Sequence, residues 1–479
     1  MPLKSKQEYI ESLKAVRPSI FYEGQKIEDV TTHPLLQPTI ENIGITYEMA
    51  QREEEGDLFA EFSPLIEAKV NRYCHVPQSR EQMVKRIKMD RRLGNLTGLS
   101  NYRSTGADVL NCLESMTLEI DQAKGTSYHK RFTQFLSKVQ SEDLSVGGTV
   151  TDPKGDRSLR PSEQEDPDLY VHVVGETPEG IIVKGAKANQ SGAGVVHELV
   201  VMPTRAMTAK DHDYAVAFAV PNNAPGLVQI LSRQPGNAAR VTGGPIDHGN
   251  HYAGHETLVV FNEVFIPWER VFMLREWEFS GKAVERFASY HRIFYSGAVV
   301  GYLDVVIGAA ALMAKMNGVF RASHVQEKLA EMISLNETIH ACGLAAAHEG
   351  RKAASGAYLM NDLFANLCKL NITRMTYDIF RMAHDLTGGM IATSPSETDL
   401  RDPELGPFIQ KYMRGASPYS AEDRIRVTRL IEAISFGPLL GVAMHGSGSP
   451  QAQKITITRQ KDITELMDVA ANLAGLQKR

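Results

Sequence analysis

Tyr290-His-Arg-Ile-Phe-Tyr-Ser-Gly-Ala-Val-Val-Gly-Tyr-Leu-Asp-Val-Val-Ile-Gly-Ala-Ala-Ala-Leu-Met-Ala314 runs apolar almost all the way round, with Asp304 as its one charge after Arg292. A helix that is apolar on every side has to be buried. His291 and Tyr295 stand four residues apart and share a face near the start of the run, with Ala298 close to the same stripe. A His and a Tyr on a buried helix reach into a pocket from a rigid base; as plain core residues they would only satisfy local hydrogen bonds. Ile293 to Ala314 comes close to the length that spans a bilayer. Asp304 in its middle, its many small residues and the lack of a second comparable segment make it a core helix instead.

Around this stretch, helical periodicity dominates from residue 276 onward, in runs over 276–290, 291–317, 322–353, 358–390, 420–443 and 460–476. Ser420-Ala-Glu-Asp423 is a capping start. Ala-rich helices of this length suggest an antiparallel bundle with more apolar surface than one copy can bury, hence an oligomer. Upstream, over 146–275, the period changes to that of strands. Asp168 to Glu176 alternates, Thr177-Pro-Glu-Gly180 turns and Ile181 to Lys187 returns, and further strands are expected at His197–Met202, Tyr214–Val220 and Glu256–Ile266. This predicts a middle β-domain, a small barrel or sandwich. Residues 1–145 read as mostly helical, with helices at Lys4–Ala15, Ile40–Glu55, Ala107–Thr117 and Ser127–Ser141. The polar segment Leu96-Thr-Gly-Leu-Ser-Asn-Tyr-Arg-Ser-Thr-Gly106 interrupts them, and such loops on scaffolds often carry function.

At 479 residues the chain has room for three such parts, and a net charge of -5 gives no reason to expect nucleic acid or a membrane surface as partner. No apolar core follows the basic Met1–Gln7 to make a signal peptide. Cys74, Cys112, Cys342 and Cys368 fit no zinc or iron–sulfur spacing and read as reduced, buried thiols of a cytoplasmic protein. No nucleotide-binding glycine loop and no Gly-x-Ser-x-Gly elbow is present; Gly446-Ser-Gly-Ser-Pro450 follows a helix. Asp247-His-Gly-Asn-His-Tyr-Ala-Gly-His-Glu256 is rich in ligand types, but its spacing matches no metal geometry, so it reads as a polar loop near a pocket and no metal is expected.

Thr97-Gly98, Thr151-Asp-Pro-Lys-Gly-Asp-Arg157, Val183-Lys-Gly-Ala-Lys-Ala188, Phe265-Ile-Pro267, the Tyr290 stretch, Ser323-His-Val-Gln-Glu-Lys-Leu329, Thr387-Gly-Gly389 and Met444-His-Gly-Ser-Gly-Ser-Pro450 together cover nearly the whole chain. They resemble the flavoprotein superfamily that holds 4-hydroxyphenylacetate 3-monooxygenase and 4-hydroxybutyryl-CoA dehydratase, and the dehydratase branch more closely. The resemblance implies an α+β fold like that of the acyl-CoA dehydrogenases: N-terminal helical domain (1–145), middle β-barrel (146–275), C-terminal helical bundle and tail (276–479).

In the dehydratase branch a 4Fe–4S cluster is held by two Cys in a C-x-x-x-C spacing, a His, and a Cys seven residues after it. The corresponding positions are Ser100, Ser104, His291 and Ala298. Three thiolates are replaced by hydroxyls and a methyl, so no iron–sulfur cluster is expected. The family's Lys after the last Cys is Val299, and a carboxylate ahead of its Met-His-Gly motif becomes Val442. Glu256, His291 and Tyr295 match the family's active-site Glu, His and Tyr; the family's Gln in the cluster loop is Tyr102, beside Arg103. The phenol hydroxylases' Arg and His correspond to Leu99 and about Gly148, so neither parent chemistry transfers intact.

The resemblance implies FAD. Thr149, Thr151, Asp152, Asn189, Gln190 and Ser191 would face the isoalloxazine, while Gly388 and Gly389, with Gln326 and Lys328 nearby, would meet the pyrophosphate of a neighbouring subunit's FAD in a homotetramer. Two activities follow as expectations. The first is a monooxygenase that uses reduced flavin, supplied by a separate flavin reductase, and oxygen on a small organic substrate. The alternative is a cluster-free acyl-CoA isomerase or dehydratase in which His291 moves a proton next to the thioester carbonyl. A flavin-binding structural subunit would leave His291, Tyr295 and Glu256 without a task.

Overall fold

The computed structural model of the chain describes residues 3–233, 244–247 and 255–476. Its longer helices are α1 (Lys6–Val16), α2 (Gln37–Gln51), α3 (Arg80–Thr97), α4 (Ser104–Lys124), α5 (Tyr128–Ser141), α6 (Trp277–Met316), α7 (Ser323–His348), α8 (Asp362–Leu386), α9 (Ala421–Ser435), α10 (Pro438–His445), α11 (Pro450–Gln460) and α12 (Ile463–Leu473). The two runs expected at 276–290 and 291–317 are one unbroken helix, α6, of 40 residues. No proline interrupts it, so nothing in its backbone chemistry forces a break. Its most apolar window is 72% buried inside the protein, as a core helix requires. Asp304 is tolerated there because Arg91 binds both of its oxygens, at 2.8 and 3.0 Å, and Asn336 adds a bond at 2.8 Å.

α3 lies against α6 at close range, and glycines make that possible. A Cβ on Gly297 would stand 2.3 Å from the Ile87 carbonyl oxygen, and one on Gly301 would stand 2.2 Å from that of Arg91. α7, α8 and α9 surround the rest of α6. The capping box expected at Ser420 and Asp423 opens α9.

The strands are β1 (Ile20–Tyr22), β2 (Gln25–Lys26), β3 (Ala60–Ser63), β4 (Ala68–Asn71), β5 (Val146–Thr149), β6 (His172–Thr177), β7 (Gly180–Lys187), β8 (Glu198–Val201), β9 (Val216–Pro221), β10 (Leu227–Leu231), β11 (Thr257–Pro267) and β12 (Val271–Leu274). The expected middle barrel is not found among the described residues. Two open sheets stand in its place, one ordered β2-β1-β10-β11-β7-β6 and the other β12-β9-β8-β5. A barrel needs every strand paired on both sides; here β2 and β6 end one sheet and β12 and β5 end the other. The sheets share one core, where Phe218 of β9 meets Phe261 of β11 edge-on with centroids 5.8 Å apart. The first sheet also recruits the N-terminus: Ile20 pairs in parallel with Gln229. β11 begins directly after Glu256, and β5 ends at Thr149, so the sheets deliver both residues towards the helical bundle.

Candidate active site

His291 sits in the first half of α6, buried, in a slot of aromatic rings. Phe287 and Phe294 stack on it at 5.3 and 5.7 Å with interplanar angles of 18° and 7°, and Tyr295 meets it edge-on at 5.2 Å. The α-helical period accounts for this, since 287, 291, 294 and 295 share one face. The imidazole Nδ1 is 2.9 Å from Oδ2 of Asp108 on α4. Among the described residues its Nε2 has no hydrogen-bond partner, nor does the hydroxyl of Tyr295. Asp108 continues into a buried charge network: its Oδ1 lies 3.6 Å from Arg86, Arg86 Nε donates to Asp90 at 3.1 Å, and the Tyr73 hydroxyl donates to Asp90 at 2.7 Å. Burial, against the pull of Arg86, pushes the Asp90 carboxyl up to about 7.

Glu256 enters from the sheet side. Ser191 donates to its Oε1 at 2.7 Å, while its Oε2 is buried without a partner. Burial pushes this carboxyl up to about 7, with the Ser191 bond pulling the other way. The Tyr295 hydroxyl is raised by burial first and then by the charges of Glu256 and Asp108. Loop 189–192 is zipped to the start of β11 by Gln190 and Thr257, which exchange backbone bonds at 2.9 and 3.1 Å. The Gln190 side chain accepts from Val150 N and donates to Thr151 O, so the loop also holds the end of β5. Thr149 Oγ1 is buried there with no partner, and Asn189 takes a left-handed φ of 55°.

The structure thus sets out two groups, His291 with Tyr295 and Asp108 on the helices, and Glu256 with Ser191, Gln190, Thr149 and Thr151 at the sheet ends, the charge of Glu256 reaching Tyr295. Tyr102 packs against Gly192, whose Cβ would lie 2.8 Å from its own, and lies parallel to His255 at 6.4 Å. Arg103 is not brought to His291. Its guanidinium is buried against Asp143 at 3.2 Å, Thr46 at 3.1 Å and the Tyr47 ring, a set that ties α4 to α2. The Asp152 carboxylate is taken up by Lys187 at 2.5 Å and by Thr204. Gln326 and Lys328 of α7 and Gly388 and Gly389 beyond α8 form a separate exposed patch, where Lys328 pairs with Asp385 and both glycines have left-handed φ, 65° and 87°. Of the polar loop 247–256, residues 248–254 lie outside the described residues; His255 is a core residue bonded to Thr39, pushed down to about 3 by burial.

Two further groups escaped the sequence reading. Asp108 follows Ser104 by one turn of α4, a spacing that puts it on the face of the polar loop. Lys369 of α8 is fully buried, donates to Ala443 O at 2.6 Å and places its Nζ 4.6 Å from the centre of the Tyr295 ring. Burial pushes this amine down to about 7.

The N-terminal model of 4-hydroxyphenylacetate 3-hydroxylase matches residues 5–273, and the C-terminal model matches residues 280–475. The chain belongs to the 4-hydroxyphenylacetate 3-hydroxylase family. Within that family it is 46% identical, over 99% of its length and 100% of the other, to 4-hydroxybutyryl-CoA dehydratase/vinylacetyl-CoA-Delta-isomerase of Clostridium aminobutyricum. It is 30% identical, over 88% of its length and 86% of the other, to the 4-hydroxyphenylacetate 3-monooxygenase oxygenase component of Thermus thermophilus. An oxygen-tolerant archaeal 4-hydroxybutyryl-CoA dehydratase from N. maritimus superposes with a TM-score of 0.96 at 44% identity, covering 100% of this chain and 96% of that one. The oxygenase component of 4-hydroxyphenylacetate 3-monooxygenase, solved with FAD, shares the fold at a TM-score of 0.88 and 24% identity, covering 98% of each chain. An acyl-CoA dehydrogenase of Slackia heliotrinireducens shares it more loosely, at a TM-score of 0.52 and 13% identity over 97% of each chain.

Proposed function

We propose that this chain is a flavin-binding acyl-CoA double-bond isomerase that works without an iron–sulfur cluster. The observation that carries it is the state of the His291 imidazole: Nδ1 is held by Asp108, and Nε2 has no partner among the described residues. The residues at the positions that correspond to the family's cluster ligands do not fit a 4Fe–4S cluster. Ser104 turns its hydroxyl onto Asn101 O at 2.7 Å, Ala298 offers a methyl, and Ser100 offers a hydroxyl, a poor ligand for iron–sulfur chemistry. Cys74, Cys112 and Cys368 are buried in unrelated contacts, with Asp143, Ala283 O and Arg292 O respectively. The 46% identical relative bears a double name, and its isomerase half needs no leaving group.

Isomerisation of a but-3-enoyl thioester is redox-neutral. A C2–H bond breaks and the proton goes to His291 Nε2. The electron pair delocalises over C2, C3, C4 and the thioester carbonyl, and a proton is then added at C4. Tyr295, one turn along the same helix face, would donate to the carbonyl oxygen. Glu256, raised by burial to about 7, would supply the C4 proton, and the proton on His291 would pass to solvent, from which Glu256 is reprotonated.

The residues fit FAD. Thr149 Oγ1 and Glu256 Oε2 are buried polar atoms without partners, and Asn189, next to them in the loop, is exposed. Thr149, Thr151, Asn189, Gln190 and Ser191 would line the isoalloxazine, with Asp152 contributing backbone only. Bound FAD would supply one- or two-electron transfer. Gln326, Lys328, Gly388 and Gly389 would serve the flavin of a neighbouring subunit in a homotetramer. The unpartnered apolar side chains of α12, such as Met467 at 65% and Leu473 at 87% exposure, support assembly.

The monooxygenase reading, with a partner reductase, rests on the 30% identical relative. One experiment separates the two. The FAD-loaded protein is incubated anaerobically with vinylacetyl-CoA, and separately with reduced FAD, air and a phenol. Crotonyl-CoA formed without oxygen supports the isomerase; hydroxylated phenol without thioester turnover would overturn it.

A further inference from the structure

We propose that Asp108 is a positioning residue that fixes which nitrogen of His291 faces the site and which carries the proton. The kinetic part of this proposal rests on the isomerase reading; the tautomer part does not. The aromatic slot sets the plane of the ring, since Phe287 and Phe294 both stack nearly parallel to it. A flat slot does not distinguish the ring from the same ring flipped by half a turn about its Cβ–Cγ bond. Among the described residues, Asp108 Oδ2, at 2.9 Å from Nδ1, is the one group that tells the two orientations apart. A carboxylate accepts and does not donate, so the proton sits on Nδ1 and the lone pair on Nε2. An imidazole with a free Nε2 lone pair can accept a proton from substrate; the opposite tautomer cannot.

Asp108 is itself held. It lies on α4 while His291 lies on α6, so the pair depends on how those helices pack. Arg86 of α3 bridges Asp108 at 3.6 Å and Asp90 at 3.1 Å, with its guanidinium 4.3 Å above the Tyr73 ring. Arg86 has its shorter bond to Asp90, whereas Asp108 has its shorter bond to His291. The acid therefore does more than neutralise the arginine.

Asp108→Asn tests this. The side chain keeps its size, and Asp90 still holds Arg86, so the fold survives. The amide can donate to Nδ1, which drives the proton onto Nε2. Holoprotein with 15N-labelled histidine reports the tautomer directly, with the His291 signal identified by its loss in His291→Asn. The wild type should show a protonated Nδ1, and Asp108→Asn a protonated Nε2. Flavin content and the Kd for crotonyl-CoA should be unchanged, while turnover of vinylacetyl-CoA falls about 10²–10⁴-fold. Asp108→Glu, which restores an acceptor, should recover turnover above the Asn level. An unaltered tautomer in Asp108→Asn, full turnover in that variant, or parallel loss of flavin, affinity and turnover would each overturn the assignment. If the tautomer switches but the wild type turns over no thioester, the positioning role stands and the substrate reading falls.

Discussion

Replacing Glu256 by Gln should change how the stability of this protein depends on pH. In the folded chain the carboxyl has one hydrogen bond, from Ser191, and a buried second oxygen with no partner; burial moves it from 4.5 to about 7. The sign follows from linkage. Between those two values the native state keeps a proton that the unfolded state has released, so stability falls as pH rises. At ~1.4 kcal/mol for each tenfold change, the native state forfeits about 3 kcal/mol once pH exceeds both values, about 2–3 of it between pH 5 and pH 8. For 479 residues, at ~2.1 cal/mol/K per residue, the unfolding entropy is about 1 kcal/mol/K, so the change amounts to about 2–3 °C in Tm. Gln cannot titrate and lacks this term. Calorimetric scans of both flavin-free proteins should show the Tm of Glu256→Gln rising relative to wild type by about 2–3 °C from pH 5 to pH 8. A difference that is flat with pH, or that runs the other way, would refute the claim that Glu256 is a buried, neutral-leaning acid.

Arg86→Met should destabilise the protein by about 3–5 kcal/mol, because it leaves Asp90 and Asp108 buried without their cation; a urea midpoint close to wild type would contradict the network. Anaerobic reconstitution with iron and sulfide should leave iron far below four per chain, with no broad absorbance near ~420 nm, because the ligand positions carry Ser100, Ser104 and Ala298. Stoichiometric cluster iron would show that those positions are wrongly matched. A Cβ on Gly389 meets nothing of its own chain within 4 Å, although the φ of 87° strains any side chain there, so Gly389→Leu is read beside Gly389→Asn, which tolerates that φ better. Gly389→Leu should weaken flavin retention and loosen the tetramer together, read by analytical ultracentrifugation and flavin release; a monomer with unchanged flavin affinity would sink the intersubunit site.

The sequence showed α6, α7 and α8 because long apolar runs bury themselves whatever surrounds them. It did not show α3, whose buried face carries Arg86 and Asp90 between Met83, Ile87 and Leu93. Charged residues paired only after folding break the hydrophobic period that a reader follows. The pairing of Ile20 with Gln229 was equally hidden, since register across two hundred residues leaves no local trace. The alternating strands were legible, but whether two sheets close into a barrel depends on how their edges pair. At the site, His291, Tyr295 and Glu256 were visible through spacing and resemblance. Asp108 was not, because one acid among the four of α4, with Glu114, Glu119 and Asp121, announces neither its partner nor its direction. Arg103 looked functional from its loop, yet its side chain turns inward to Asp143.

The central claim is that His291, held by Asp108 and without an iron–sulfur cluster, takes a proton from C2 of an acyl thioester whose C4 is protonated in turn. The most direct measurement is anaerobic turnover of vinylacetyl-CoA in D2O by holoprotein whose iron content is determined on the same sample, wild type beside His291→Asn. The account predicts crotonyl-CoA carrying deuterium at C4 from iron-free wild type. It also predicts a rate lower by about 10²-fold or more in the variant, with its melting temperature and flavin content nearly unchanged. Turnover that appears only with stoichiometric iron, or that persists at the wild-type rate in His291→Asn, would contradict it.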